Sequence, residues 1–191
     1  MTQSYVPARG LPEKVSRRIT QWRRARPAHL RFDAPLLSIC FDDFPVSAAH
    51  EGAAIVEAHG ARATFYASAA LSCADGPCGP NFTAEDARAL ERRGHEIACH
   101  SFAHADLAKR PVFETLKDLA RNREALTEMG LPAPQTLAYP YGETSFALKQ
   151  ALPPRYACAR GILPGLNIGP ADLLQLRAYP LFGARTLART H

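Results

Sequence analysis

Two adjacent carboxylates, Asp42 and Asp43, close the stretch Leu36-Leu-Ser-Ile-Cys-Phe-Asp-Asp-Phe-Pro45. A mostly apolar run leads into them and a Phe-Pro pair stops it. A short apolar run bounded by a breaker reads as a buried strand, so the pair is expected where a strand leaves the core. In α/β folds ligands bind at the carboxyl ends of the strands. Neighbouring like charges repel unless a cation or a donor neutralises one of them. Asp is also a good cap and turn former. Taken alone, the pair reads more often as a capped loop than as a site.

Two further clusters supply partners. Cys99-His-Ser-Phe-Ala-His104 follows a second apolar stretch. Histidines at this spacing can face one way on a helix or on a turn entering one. Neutral imidazoles are common metal ligands. Two of them with a carboxylate form a frequent catalytic set that leaves positions open for water and substrate. Asp43, His100 and His104 would supply it; without the Asp pair, His100 and His104 read as polar loop residues. Ala138-Tyr-Pro-Tyr-Gly142 closes another strand-like stretch. Proline fixes the chain and glycine permits a tight turn. A rigid turn there could aim the Tyr141 N–H at an oxyanion, although Pro-Tyr-Gly is also ordinary turn chemistry.

The elements that must position these residues follow from periodicity and breakers. Strands are predicted at 36–41, 63–67, 95–99, 135–139 and 155–159, with a sixth at 176–179. Helices are predicted at 12–24, 48–59, 83–93, 113–129 and 145–152. Gly60, Gly94 and Gly130 act as stop signals, and Thr83 with Asp86 forms a partial capping box. The longest helix shows an apolar stripe of Phe113, Leu116, Leu119, Ala120 and Leu126. Strands alternating with helices imply βαβ units and a largely parallel sheet.

The 191 residues suit one domain, with 47% hydrophobic and 21% charged residues. The net charge of +5 is concentrated at the start, in Lys14, Arg17, Arg18, Arg23, Arg24, Arg26 and Arg31. Such an arm suits an anionic partner. Val15, Ile19 and Trp22 recur between the basic residues at helical spacing, so the favoured reading is a solvated basic face on a helix that docks through this stripe, with no nucleic-acid partner. No apolar run approaches transmembrane length, and the N-terminus lacks the apolar region of a secretory signal; the expectation is a cytoplasmic protein. Cys40, Cys99 and Cys158 lie in apolar runs as small core residues. Cys73 and Cys78 flank a Gly-Pro loop, where pairing or metal binding is open, and read as free thiols.

Asp-Asp after a strand, Gly94-His-Glu-Ile97, His100-Ser-x-x-His104 and Tyr139-Pro-Tyr-Gly142, in this order, resemble the polysaccharide deacetylases of the NodB-homology group (carbohydrate esterase family 4). The resemblance runs from Leu36 to Gly142. It implies an irregular (β/α) barrel of parallel strands, here incomplete at the C-terminal end. Residues 1–30 would be the basic arm and helix, and 31–191 the deacetylase domain. It implies hydrolysis of acetyl groups on N-acetylated glycans with a divalent metal, zinc expected, and cobalt, manganese or nickel as alternatives. Asp42 becomes the general base and Asp43, His100 and His104 the metal ligands. Tyr141 serves the oxyanion through its N–H, Phe44 and Pro140 line the substrate, and His95 is structural. Phe44 replaces the family's usual Gly. Ala138 replaces an Arg that orients the base, for which Arg160 is the candidate substitute. The late Leu-x-His motif of the catalytic acid has no clear match, His191 being in the wrong context. A binding protein without turnover is the first rival reading. An Asp-nucleophile phosphotransferase is the second, ranked low because its two carboxylates are normally spaced by one residue.

Overall fold

The computed structural model describes residues 10–181. In chain order the elements are α1 (Leu11–Trp22), β1 (Pro27–Leu30), β2 (Ile39–Asp42), a wide π-type turn (Ala48–Gly52) running into α2 (Ala53–Ala58), and β3 (Ala63–Ala67). A small hairpin of β4 (Asp75–Gly76) and β5 (Gly79–Pro80) precedes α3 (Ala84–Arg92), β6 (Glu96–Cys99) and α4 (Val112–Glu128). The chain continues through β7 (Thr136–Ala138), α5 (Phe146–Ala151), β8 (Cys158–Arg160) and β9 (Gly169–Asp172). Five parallel strands form one sheet in the order β2-β3-β6-β7-β8. It is a curled, incomplete (β/α) barrel with β2 and β8 at its two edges. The predicted sixth strand contributes one parallel bridge, Arg160 to Leu176.

The sheet's two faces follow from the two-residue period of a strand. Phe41, Phe65 and Ile97 lie side by side in register and pack in one core cluster with Ala53 and Val56 of α2, Leu90 of α3 and Leu126 of α4. The next residues, Asp42, Tyr66 and Ala98, therefore face the other way, into the barrel. Helix ends follow the sequence signals. Thr83 and Asp86 form a reciprocal capping box, and Gly60, Gly94 and Gly130 adopt left-handed φ at the stops.

Several expectations are corrected. The first strand starts at Ile39; Leu36 and Leu37 are exposed. Of the predicted α4 stripe, Leu119 and Leu126 are buried and Leu116 half-buried, whereas Ala120 and Phe113, the latter under Lys117, are exposed; α4 buries Thr115 and Asn122 as well. Phe44 does not line a groove. It is fully buried, stacked on Phe82 at 4.3 Å and edge-on to Phe65 at 5.1 Å. A large aromatic ring gains more from the core than from a turn facing water.

The N-terminal helix docks, but by the opposite face. Val15 and Ile19 are exposed and Trp22 is 84% exposed. Thr20 is its buried residue. Arg17 pairs with Glu143 at 2.8 Å, and the Arg23 guanidinium stacks on Phe146 at 3.9 Å. The anchor is Lys149, whose fully buried Nζ has four acceptors within hydrogen-bond distance for its three N–H groups: the carbonyls of Thr20 (2.6 Å) and Arg23 (2.8 Å), Asp172 (2.9 Å) and Gln175 (2.8 Å). Asp172 in turn accepts from the N–H groups of Ala25 and Arg26. A helix end with bare carbonyls needs such donors, which outweigh the apolar stripe here. Residues 27–30, assigned to the arm from sequence, form β1 against β9. Residues 1–9 and 182–191, including His191, lie outside the described residues. No helix among those described is long and apolar enough to cross a membrane.

Burial would raise the Asp172 carboxyl, but the Lys149 hydrogen bond and three backbone N–H groups hold it below its ordinary 3.8. A carboxyl lowered by folding contributes stability above its unfolded pKa and loses it as pH falls through the folded value. Lys149→Met leaves Asp172 buried and unpaired, so an unfolding free energy lower by about 3–5 kcal/mol at pH 7 is expected. The penalty should shrink below about pH 4, as Asp172 protonates in the variant. Denaturant titrations at both pH values check this, and a loss under about 1 kcal/mol at pH 7 would contradict it.

Candidate metal centre and catalytic cluster

The chain turns sharply where each site residue leaves the sheet. Asp43 (φ 44°), Ser101 (φ 63°), His104 (φ 48°) and Tyr141 (φ 59°) are four of the five described non-glycine residues at positive φ. Each such conformation costs on the order of 1 kcal/mol or more and persists only where the surroundings impose it. Strain of this kind clusters at functional sites.

These turns bring the three sequence-predicted ligands together. One ligand atom each from Asp43, His100 and His104 lies within 4.8 Å of the others. His104 Nε2 is 2.8 Å from Asp43 Oδ2, and His100 Nε2 is 3.9 Å from the same oxygen. His100 Nδ1 lies 2.8 Å from the Ala138 carbonyl oxygen. A carbonyl can only accept, so Nδ1 carries the proton and the lone pair of Nε2 faces Asp43. Burial pushes the His100 imidazole toward its neutral form. Burial would raise the Asp43 carboxyl, but hydrogen bonding from His104 and the charges of both imidazoles hold it below its ordinary value. Asp43 Oδ1 is buried with no hydrogen-bond partner. A carboxylate and two imidazoles converging beside an orphaned oxygen fit a divalent cation.

Asp42 points elsewhere. It forms an ion pair with Arg160 of β8, across the mouth of the barrel. Arg160 lies over the Tyr66 ring at 4.5 Å. Ala138, in register with Arg160, and Ala98 pack against Tyr66 as small, fully buried residues. The pairing of Asp42 with Arg160, a candidate from sequence, is thus present, and it links the two edge strands. Tyr141 is half-buried at the other side of the cluster, its hydroxyl 3.2 Å from His104 Nδ1. Pro140 is buried and opens this turn. His95 lies apart from the cluster: its Nδ1 accepts from the Ala63 N–H at 3.0 Å and its Nε2–H donates to Glu57 at 2.9 Å. Cys73 and Cys78 are exposed and unbridged.

Three supporting residues carry no signal in the sequence. Asn122 of α4 donates to the Ala67 carbonyl and accepts from the Ala69 N–H, both at 2.9 Å, and so clamps the end of β3. Asp118, one helical turn earlier, accepts from the N–H groups of Phe102 and Ala103 within the histidine loop. Ser68 donates to the His100 carbonyl at 2.8 Å. Polar residues on a helix face usually meet solvent; only the fold shows that Asn122 meets the end of β3 and Asp118 the histidine loop.

Parallel strands thus deliver a carboxylate and two histidines to one rim of a curled barrel. Residues 30–153 match the polysaccharide deacetylase family, and the chain belongs to that family. No curated protein matches it. Among solved structures it is similar to IcaB from Ammonifex degensii, with 16% identity, TM-score 0.73, and 83% of this chain and 74% of that one covered. It is also similar to the Streptococcus pyogenes deacetylase PplD, solved with acetate, with 18% identity, TM-score 0.67, and 94% and 77% covered. A family 4 acetyl xylan esterase from Clostridium thermocellum, solved with a cobalt ion, shares 21% identity, TM-score 0.52, and 68% and 58% coverage. The fold expected from the sequence, a NodB-type barrel open at one side, is the fold found.

Wild-type protein dialysed against zinc and then buffer is expected to retain about one equivalent of metal, and His104→Ala far less. Mass-spectrometric metal analysis decides it; full retention by the variant would remove His104 from the ligand set.

Proposed function

We propose that this chain is a metal-dependent hydrolase that releases acetyl groups from N-acetylated glycans. The observation that carries the reading is the separation of the two aspartates: Asp43 faces His100 and His104, while Asp42 faces Arg160. A divalent ion, zinc by preference, held by Asp43, His100 and His104 would supply Lewis acidity toward the acetyl carbonyl and lower the pKa of water. Asp42, oriented by its ion pair with Arg160, accepts a proton from the attacking water. The Tyr141 N–H serves the oxygen of the tetrahedral intermediate. The C–N bond then breaks and the departing amine needs a proton. Asp42, protonated by the attack, is the group in this cluster that holds one at that stage. Atoms balance as acetate plus a free amine.

Family membership and the retained ligand set support this reading over the rival of a binding protein without turnover. Asp42→Asn keeps the shape and the metal ligands but removes the base. It is expected to hold metal as the wild type does and to release acetate from N-acetylglucosamine oligomers at least about 10²-fold more slowly. Lost metal with retained activity would exchange the roles of Asp42 and Asp43.

A further inference from the structure

The way α1 is anchored leaves its outward face without a partner among the described residues. Lys149 and the Arg17–Glu143 pair hold the inner face. Leu11, Val15, Ile19 and Trp22 follow one another at helical spacing and form a single row on the other face. They are 79%, 55%, 45% and 84% exposed. A row of large apolar side chains in water marks an interaction surface rather than an ordinary scatter of exposed residues. Lys14 and Arg18 run beside the row at the same helical spacing, and Arg24 follows just past the helix end. All three are exposed, and none forms an ion pair among the described residues. Glu13, the acidic residue of α1, lies midway between Leu11 and Val15 in sequence and so points away from the row.

This combination selects a partner. Cations beside an apolar row ask for a surface that is anionic and also takes up hydrocarbon. A second copy fails the first demand, because a two-fold pairing of α1 with itself sets Lys14 and Arg18 against their own kind. A nucleic acid meets the first demand through its phosphates but gives Leu11, Val15 and Ile19 nothing to enter. A bilayer surface with anionic headgroups meets both. The basic residues lie on the phosphates and the apolar side chains reach the acyl boundary. Tryptophan suits that depth, with an apolar body and a polar N–H tip. At 12 residues α1 is too short to span a bilayer, so it would lie in the interface plane. The helix is already folded and anchored, so docking avoids the ordering cost that a free amphipathic segment meets.

We propose that α1 is an interfacial helix that docks the protein on an anionic phospholipid membrane, with Leu11, Val15, Ile19 and Trp22 entering the headgroup layer and Lys14 and Arg18 on the lipid phosphates. The proposal stands independently of the deacetylase reading. It gives α1, an element outside the barrel, the task of holding the domain at a surface.

Trp22 is the single tryptophan of the chain and therefore reports docking directly. The zinc-loaded protein is mixed with phosphatidylcholine vesicles, with or without phosphatidylglycerol, and followed by Trp22 emission and by co-sedimentation. With phosphatidylglycerol present, the emission of Trp22 is expected to shift to the blue and the protein to sediment with the vesicles. Phosphatidylcholine alone should bind about tenfold or more weakly, and high salt should weaken the anionic case as well. Ile19→Glu, at an exposed position, and the double change Lys14→Gln with Arg18→Gln should each lower the affinity for anionic vesicles about tenfold or more. No binding to anionic vesicles at low salt would overturn the proposal. Binding without a blue shift, or with affinity unchanged in both variants, would also overturn it, because the contact would then lie elsewhere on the surface. A blue shift that grows with protein concentration in the absence of lipid would assign the face to a second copy and overturn it too.

Discussion

Two carboxylates on neighbouring residues cannot share one environment without repelling each other, and the site is arranged around that constraint. Asp42 is the last residue of β2 and keeps extended backbone, so its side chain stays on the barrel's inner face, where Arg160 meets it. Asp43 is turned into the left-handed region, and its carboxylate is carried round to His100 and His104. One residue of backbone strain thus separates two charges into two chemical roles. Asp42 is compensated by a permanent cation. Asp43 is compensated by groups that also bind metals.

The strain is supported by ordinary packing and hydrogen bonds. Behind β2, Phe41 stacks on Phe65 at 4.8 Å, and Phe44 and Phe82 continue the aromatic layer. The Asp-Asp turn therefore rests on a buried wall worth several kcal/mol on area grounds. The histidine loop is held by Asp118, Ser68 and the Ala138 carbonyl. The Tyr141 turn is held by Pro140 and by the contact that Gly142 permits. The ion pair from β8 to β2 adds a tie between the first and last strands of the five-stranded sheet.

Much of this was legible because the chemistry is local in sequence. Asp42-Asp43, His100 to His104 and Tyr141 each lie within a few residues of a strand end, and strand ends are marked by apolar runs and breakers. Stop glycines and the Thr83 box were readable for the same reason. The failures share a cause: polarity alone does not say which face is buried. Leu36 and Leu37 look like strand but precede it. Phe44 looks like a groove residue but fills the core. On α1 the apolar stripe faces outward, because a buried lysine and a Glu–Arg pair hold the other face. Asn122 acts across more than 50 residues and Asp118 across 15 and 16, which no local pattern encodes. Ala138 pointed to a missing arginine, and the register of β7 with β8 puts Arg160 beside it.

The central claim is that Asp43, His100 and His104 form a metal centre. X-ray absorption at the zinc edge of the loaded protein tests it most directly. The account predicts a first shell of oxygen and nitrogen at about 2.0–2.2 Å, with the multiple-scattering signature of two imidazoles. A sulfur shell near ~2.3 Å, pointing to Cys73 or Cys78, or a spectrum with no imidazole, would contradict it.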